Sequence, residues 1–329
     1  MIRNSKGGKN SRENIQYSVV IVIIGILAAA YVTYSGWDPI SEFLGLSNPP
    51  AVAPAAEGTV QVHFIDVGQG DCSLILTLET AILIDSGDAK YADFVIQYIR
   101  ALGVDTLDMI VVTHPHADHI GGMDKIIAAF DTKHLIMPRL PDELVPVTNT
   151  FVRMLDAIEA HQVTVNYATP LQHISLGGGA TLEFIAPSVE AEFGNVNDYS
   201  ILTRLVHGEN TFLFTGDMEK IAEQDVLTRT TLLSAKVLKI AHHGSKTSST
   251  RAFLAAVNGT YAIISVGSPN RYNHPHPDTT RRLTDMGYDI LRTDEMGTII
   301  FESKSNGELR ITHTKMLRGN ETLESRAIA

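Results

Sequence analysis

The stretch VVTHPHADHIGG, Val111–Gly122, sets three histidines and an aspartate, His114, His116, Asp118 and His119, within six residues directly after an apolar run. Pro115 disfavours a helix at this point, so the segment reads as a loop able to curl all four side chains toward one place. Zinc and its neighbours take imidazole nitrogen and carboxylate oxygen at about 2.0–2.2 Å, and one cation holding four ligands this close in sequence would be closed to substrate. Two cations sharing the loop solve that geometry. A solvent-exposed polar turn is the bland alternative. The density of ligand types at a strand end, followed by Gly121-Gly122, counts against it.

Working outward, VQVHFIDV, CSLILTL and TAILIDSG are short apolar or alternating runs broken by Gly-Gln-Gly-Asp and Glu-Thr, the pattern of strands joined by tight turns. YADFVIQYIRALG puts Phe94, Val95, Tyr98, Ile99 and Leu102 on one helical face and ends at Gly103. TLDMIVVT is a further buried strand leading into the histidine cluster. On the other side, ISLGGGATLEFIAP reads as a hairpin, SILTRLVH and NTFLFTGD as a strand pair, MEKIAEQDVL as a helix, and AKVLKIAHHGS as a strand followed by a loop. YAIISVG, a helix from Pro277 to Met286, DILRT, GTIIFES and GELRITH complete the body. Strands and helices are interleaved, so the expected fold class is α/β, with two sheets packed between helices. The two similar halves suggest one domain built from two βα modules.

Composition narrows the chemistry. The 329 residues, 44% of them hydrophobic, read as globular with a sizeable core. Cys72 is the one cysteine, which excludes an internal disulfide and a thiolate-rich zinc site; the 13 histidines carry the ligand chemistry instead. The formal charge is -11. Arg3, Lys6, Lys9 and Arg12 face only Glu13 in the first 36 residues, which leaves 22 basic and 36 acidic residues, a net of -14, to the rest. That body is no general polyanion binder.

Between these basic residues and Trp37 runs YSVVIVIIGILAAAYVTY, whose eighteen residues would cover roughly 27 Å as a helix. The charge bias predicts a cytoplasmic N-terminus and a single-pass anchor in the cell membrane, with the catalytic body outside. A cleaved signal peptide, ending near Ala28–Ala30 and releasing a secreted protein, is the competing reading. The expected organisation is a basic cytoplasmic segment over 1–16, a transmembrane anchor over 17–37, a Pro/Ala-rich linker over 38–58, a metallo-hydrolase domain over 59–316 and a polar tail over 317–329.

THPHADHIGG resembles the HxHxDH signature of the metallo-β-lactamase superfamily, and the rest of that family's motifs follow in order. AILIDSG supplies Asp85, TFLFTGD supplies Asp217, and VLKIAHHGS supplies His242 and His243. FIDVGQGDCSLI, LFTGD, KIAHHGSKTS, Asn270-Arg-Tyr-Asn-His274-Pro and LRTDEMGTI further resemble the extracytoplasmic hydrolase domain of bacterial DNA-uptake competence proteins (ComEC-like) and their relatives, from about Val60 to about Ile300. The resemblance implies a four-layer αββα sandwich. It also implies a metal-dependent hydrolase that activates water with two divalent ions, zinc or manganese.

By the same resemblance His114 and His116 hold the first ion, Asp118, His119 and His243 the second, and Asp217 bridges them. Asp85 acts from behind the ligands. One departure concerns the third motif, FGNVNDYSIL, which has no histidine where many members carry one. Asn197 stands near the first ion instead, and its amide oxygen predicts a weaker or manganese-preferring site. Asp118 or Asp217 would steer the proton of the attacking water. His242 and His274 join the catalytic set, while Ser245, Lys246, Arg271 and His276 are expected to contact substrate. These donors suit a phosphodiester, DNA among the candidates. A lactam, lactone or other acyl hydrolase and a non-catalytic metal-binding envelope protein are the alternatives.

Overall fold

The computed structural model describes residues 55–314. Strands β1 (Thr59–Phe64), β2 (Ser73–Leu76), β3 (Ala81–Ile84), β4 (Thr106–Val111), β5 (Asp131–Met137) and β6 (Thr164–Tyr167) form one sheet, extended beyond β1 by β14 (Thr298–Lys304) and β15 (Leu309–Thr314). The second sheet holds β7 (His173–Gly177), β8 (Ala180–Ala186), β9 (Leu202–His207), β10 (Asn210–Phe214), β11 (Val237–Lys239), β12 (Tyr261–Ile264) and β13 (Asp289–Arg292), adjacent in sequence order. Each sheet is antiparallel on one side and parallel on the other. The change comes at β3/β4 in the first sheet and at β10/β11 in the second.

Alternation along the strands builds the layers. In β2, Leu74 and Leu76 point to the helices Ala92–Ala101, Met123–Ala129 and Asn149–Ala160, while Ile75 points between the sheets. Ile82 and Ile84 of β3 likewise face the inter-sheet core and Leu83 the helix side. Because both faces are covered, these strands are apolar at nearly every position. A third apolar layer, with Leu238, Ile240, Phe253, Leu254 and Leu283, packs the second sheet against the helices Lys220–Arg229, Arg251–Val257 and Pro277–Asp285. The result is the expected αββα sandwich.

The helical face expected around Tyr98 forms as read, with Val95, Tyr98 and Ile99 buried in the helix Ala92–Ala101. The two-module reading needs correction. The C-terminal hairpin crosses to the first sheet, where β14 pairs with β1 from Thr59↔Lys304 to Phe64↔Ile299. A second correction concerns the membrane. No helix among the described residues is long and apolar enough to cross one, and the single-pass localisation and the transmembrane element of the expected fold are left without support. The segment 17–37 on which both rested lies outside the described residues, as do 1–16, the linker up to residue 54 and the tail after 314.

Candidate metal centre

The chemistry-bearing residues gather at the carboxyl ends of strands, beside the places where each sheet changes from antiparallel to parallel. Asp85 follows β3, His114 follows β4, Asp217 follows β10, and His242 and His243 follow β11. In α/β sheets ligands bind outside the carboxyl ends of the strands. Pro115 and the extended backbone of His116 (φ -79°, ψ 152°) break the chain after β4. The short helix Ala117–Ile120 then starts on amides of His119 and Ile120 that donate to the His116 carbonyl. His242 and His243 both adopt left-handed backbone (φ 52° and 53°), a conformation that costs a non-glycine residue about 1–3 kcal/mol and is kept where function requires it.

Two groups of ligand atoms result, each within 4.8 Å of one another: His114, His116 and Asp217 in one, Asp118, His119, Asp217 and His243 in the other. Asp217 belongs to both. Its Oδ1 is 3.2 Å from His119 Nε2, and its Oδ2 is 3.8 Å from His114 Nε2 and 3.6 Å from His243 Nε2. His114 Nε2 faces His116 Nδ1 at 3.0 Å, and His243 Nε2 faces Asp118 Oδ2 at 3.2 Å. They floor a cleft of about 320 Å³ that His116, Asp118, Asn197, Asp217, His242, His243 and His274 line together with Gln69, Ala117 and Tyr272.

Each ligand is braced from behind. Asp85 accepts from the Thr113 amide (2.8 Å) and hydroxyl (2.6 Å) and lies 2.7 Å from His119 Nδ1, so it fixes that ring with Nε2 forward. His243 Nδ1 donates to the Ser265 carbonyl at 3.0 Å and lies 3.2 Å from Asp71, whose other oxygen pairs at 2.7 Å with the buried Lys239. Ser200 Oγ accepts from the Asp217 amide at 3.0 Å and stands 3.4 Å from His114 Nδ1.

Burial raises the Asp217 carboxyl, but the facing His119 and His243 outweigh it and hold it well below the usual carboxylate range. Burial lowers His243, while Asp217 and Asp71 overcome this and push it up to about 10. The carboxylates thus draw positive charge onto the rings, the demand a bound cation answers.

The residues fit a metal. His119 Nε2, His243 Nε2, Asp217 Oδ1 and Asn197 Oδ1 are buried without a hydrogen-bond partner although they crowd together, and native interiors leave few such atoms unpaired. A third group, Asp71, Asp85 and His119, lies beneath the cleft. There the Lys239 ammonium already supplies the cation.

Of the expected substrate contacts, Ser245, Lys246, Arg271 and His276 do not line the cleft. Ser245 is buried beside Thr247, and His276 caps the helix Pro277–Asp285 by accepting from the Asp278 amide. Arg271 is exposed and covers the Tyr272 ring. His274 does line the cleft, its ring 5.5 Å from that of His242. His207, the histidine nearest the third motif, is turned away to Ser303 at 2.9 Å.

Of Lys239, Lys246, Arg251, Arg271, Arg281 and Arg282, the basic residues that broad DNA binding would have to gather into one patch, four are engaged within the fold. Lys239 pairs with Asp71, Arg251 with Asp285, Arg281 with Asp278, and Arg282 donates to the carbonyls of Ser248 and Ser249.

Asp71, Lys239 and Glu219 were missed as site residues. The Gly-Gln-Gly-Asp turn was the one signal that could have shown Asp71; a lone lysine in a buried strand and a glutamate two residues after Asp217 carry no pattern of their own.

Residues 65–268 match the family model of the metallo-beta-lactamase superfamily. Among curated proteins the chain is similar to ComE operon protein 3 of Bacillus subtilis, with 29% identity over 77% of this chain and 34% of that protein. It is also similar to competence protein ComA of Neisseria gonorrhoeae, with 29% identity over 78% and 34%. Recombination protein 2 of Haemophilus influenzae follows with 28% over 68% and 26%. The chain therefore spans about a third or less of the length of these relatives. Among solved structures, the metallo-beta-lactamase fold protein YhfI from Bacillus subtilis superimposes with a TM-score of 0.50 at 13% identity, over 75% of this chain and 100% of that one, a likeness of fold.

Proposed function

The chain belongs to the metallo-beta-lactamase superfamily of metal-dependent hydrolases, and from that premise we propose that it is a phosphodiesterase whose cleft takes two divalent cations, zinc or manganese. The observation that carries this reading is Asp217, one carboxylate common to two ligand groups. His114, His116 and Asp217, with Asn197 beside them, would hold the first cation. Asp118, His119, Asp217 and His243 would hold the second, with Asp85 orienting His119. We assign this activity to a hydrolase domain over 59–316.

When bound, two such cations polarise a phosphoryl oxygen, make a water acidic enough to attack at neutral pH and offset the charge that develops. The chain's own groups supply the rest. Asp118, its side chain 31% exposed against 3% for Asp217, is the carboxylate open to the cleft and takes the proton of the attacking water. His242 and His274, side by side on the cleft wall, hydrogen-bond the phosphoryl group, and His242 delivers a proton to the leaving oxygen.

Relatives named for competence and recombination support nucleic-acid phosphodiesters as first candidates. The acidic balance of the body, with a net charge of -14 beyond the first 36 residues, favours a short or single-stranded substrate, since a long duplex is held by many phosphate contacts. The test offers the protein, loaded with manganese or zinc, a chromogenic phosphate bis-ester, short DNA, a cyclic dinucleotide, a lactam and a thioester. Phosphodiester cleavage that falls at least about a thousandfold in Asp217→Asn is expected. Turnover of acyl substrates alone, or of nothing offered, overturns the reading.

A further inference from the structure

The two ligand groups are unequal: the one around His119 has four members and the one around His114 has three. A carboxylate outside both touches two side chains of the cleft wall. Glu219 Oε1 accepts from Asn197 Nδ2 at 3.1 Å and lies 3.3 Å from His242 Nδ1. An ionised carboxylate only accepts, so Asn197 must turn its amide NH2 toward it, while His242 Nδ1 lies between this carboxylate and the Thr247 hydroxyl, 3.3 Å from each. What remains for the cleft is Asn197 Oδ1, buried and without a partner, and His242 Nε2, 3.7 Å from Asp217 Oδ2.

The backbone enforces the same arrangement. Asn197 sits in the turn Asn197–Tyr199, and the next residue, Asp198, accepts from the amides of Glu219 (3.0 Å) and Ala222 (3.2 Å). Asp198 is itself held by both ends of the Asn195 amide. The turn and the start of the helix Lys220–Arg229 are thereby bonded as one piece.

We propose that Glu219 is a positioning residue for the first metal position: it turns Asn197 oxygen-first toward the group that has only three, adding a fourth donor to it, and stands behind His242, whose Nε2 stays on the cleft wall. This rests on the two-cation reading above.

The test is calorimetric titration of manganese(II), with bound metal counted directly. The wild-type protein is expected to take two ions, the weaker at His114 and His116. Glu219→Gln should weaken that step alone by about 10–100-fold. Glu219→Asp, which withdraws the carboxylate by one methylene, should show the same loss in part. The double variant Asn197→Asp, Glu219→Gln should regain the step, because a carboxylate presents oxygen whichever way it is turned. An unchanged weak step in Glu219→Gln, or a loss that the double variant does not restore, overturns the positioning role. A wild-type protein that binds fewer than two ions overturns the two-cation reading instead.

Discussion

Five histidines are buried among the described residues, His63, His114, His119, His207 and His243, and their surroundings sort them by role. His119 and His243 face carboxylates and hold protons or a cation. His63 faces none: its Nδ1 accepts from the Tyr98 hydroxyl at 2.7 Å, and its Nε2 lies 3.2 Å from Gln61 Oε1. Burial alone pushes its pKa down to about 3. The ring therefore stays neutral in the fold, while the unfolded chain binds a proton below the ordinary value near 6.5. Its contribution to stability is complete above that value and drains away as pH falls toward 3, by up to about 1.4 kcal/mol per pH unit. In His63→Gln, unfolding free energies measured by urea from pH 7.5 to 4.5 should lie below wild type at the top of the range and converge with it at the bottom. Parallel curves would contradict this. At this scale the site was legible where its residues are contiguous, as in His114 to His119, or stand at strand ends, as Asp85 and Asp217 do. Glu219 and the Asp71–Lys239 pair escape notice because a single polar residue acquires meaning only from a partner that the fold brings to it.

The loop Gly68–Asp71 between β1 and β2 shows how an element can serve the site without supplying a ligand. Gly70 has φ +144°, and a Cβ added there would sit 2.3 Å from the Asp118 carbonyl oxygen, to which the Asp71 amide donates at 3.1 Å. The loop therefore clamps the backbone of the histidine motif. Gly70→Ala must push the two segments apart, at about 1–3 kcal/mol, and should loosen metal binding by Asp118 and His119 as well as lower the urea midpoint. Stability and metal affinity that both stay at the wild-type level would show the clamp to be dispensable. Elements of this length are legible through periodicity, which is local: the helix over Tyr98 and the hairpin β7–β8 follow from it directly. The pairing of β1 with β14 does not, since residues 59–64 and 298–304 are joined only by the complementary apolar faces they present after folding.

Those faces meet between the sheets, where the molecule closes on itself. Phe64 of β1 and Phe301 of β14 come from the first sheet, and Phe212, Phe214 and Tyr261 from the second. Phe301 packs against Phe64, Phe212 and Tyr261 with ring centroids 5.7–5.9 Å apart, and Phe64 also stacks on Phe214 at 5.8 Å. The residues of the candidate site are divided between the same two sheets: His114 to His119, with Asp85 behind them, follow strands of the first, and Asp217 and His243 strands of the second. Neither sheet holds a complete ligand group, so the packing between them sets the distances on which the site depends. Emptying the Phe301 position should cost about 3–5 kcal/mol for Phe301→Ala, a large share of the roughly 5–15 kcal/mol that such a domain has in total. Urea unfolding should show an earlier midpoint with an unchanged slope, and added manganese should move that midpoint back up, because a ligand that bridges both sheets binds only the packed state. A midpoint that manganese leaves where it was would mean that the site does not depend on how the two sheets meet.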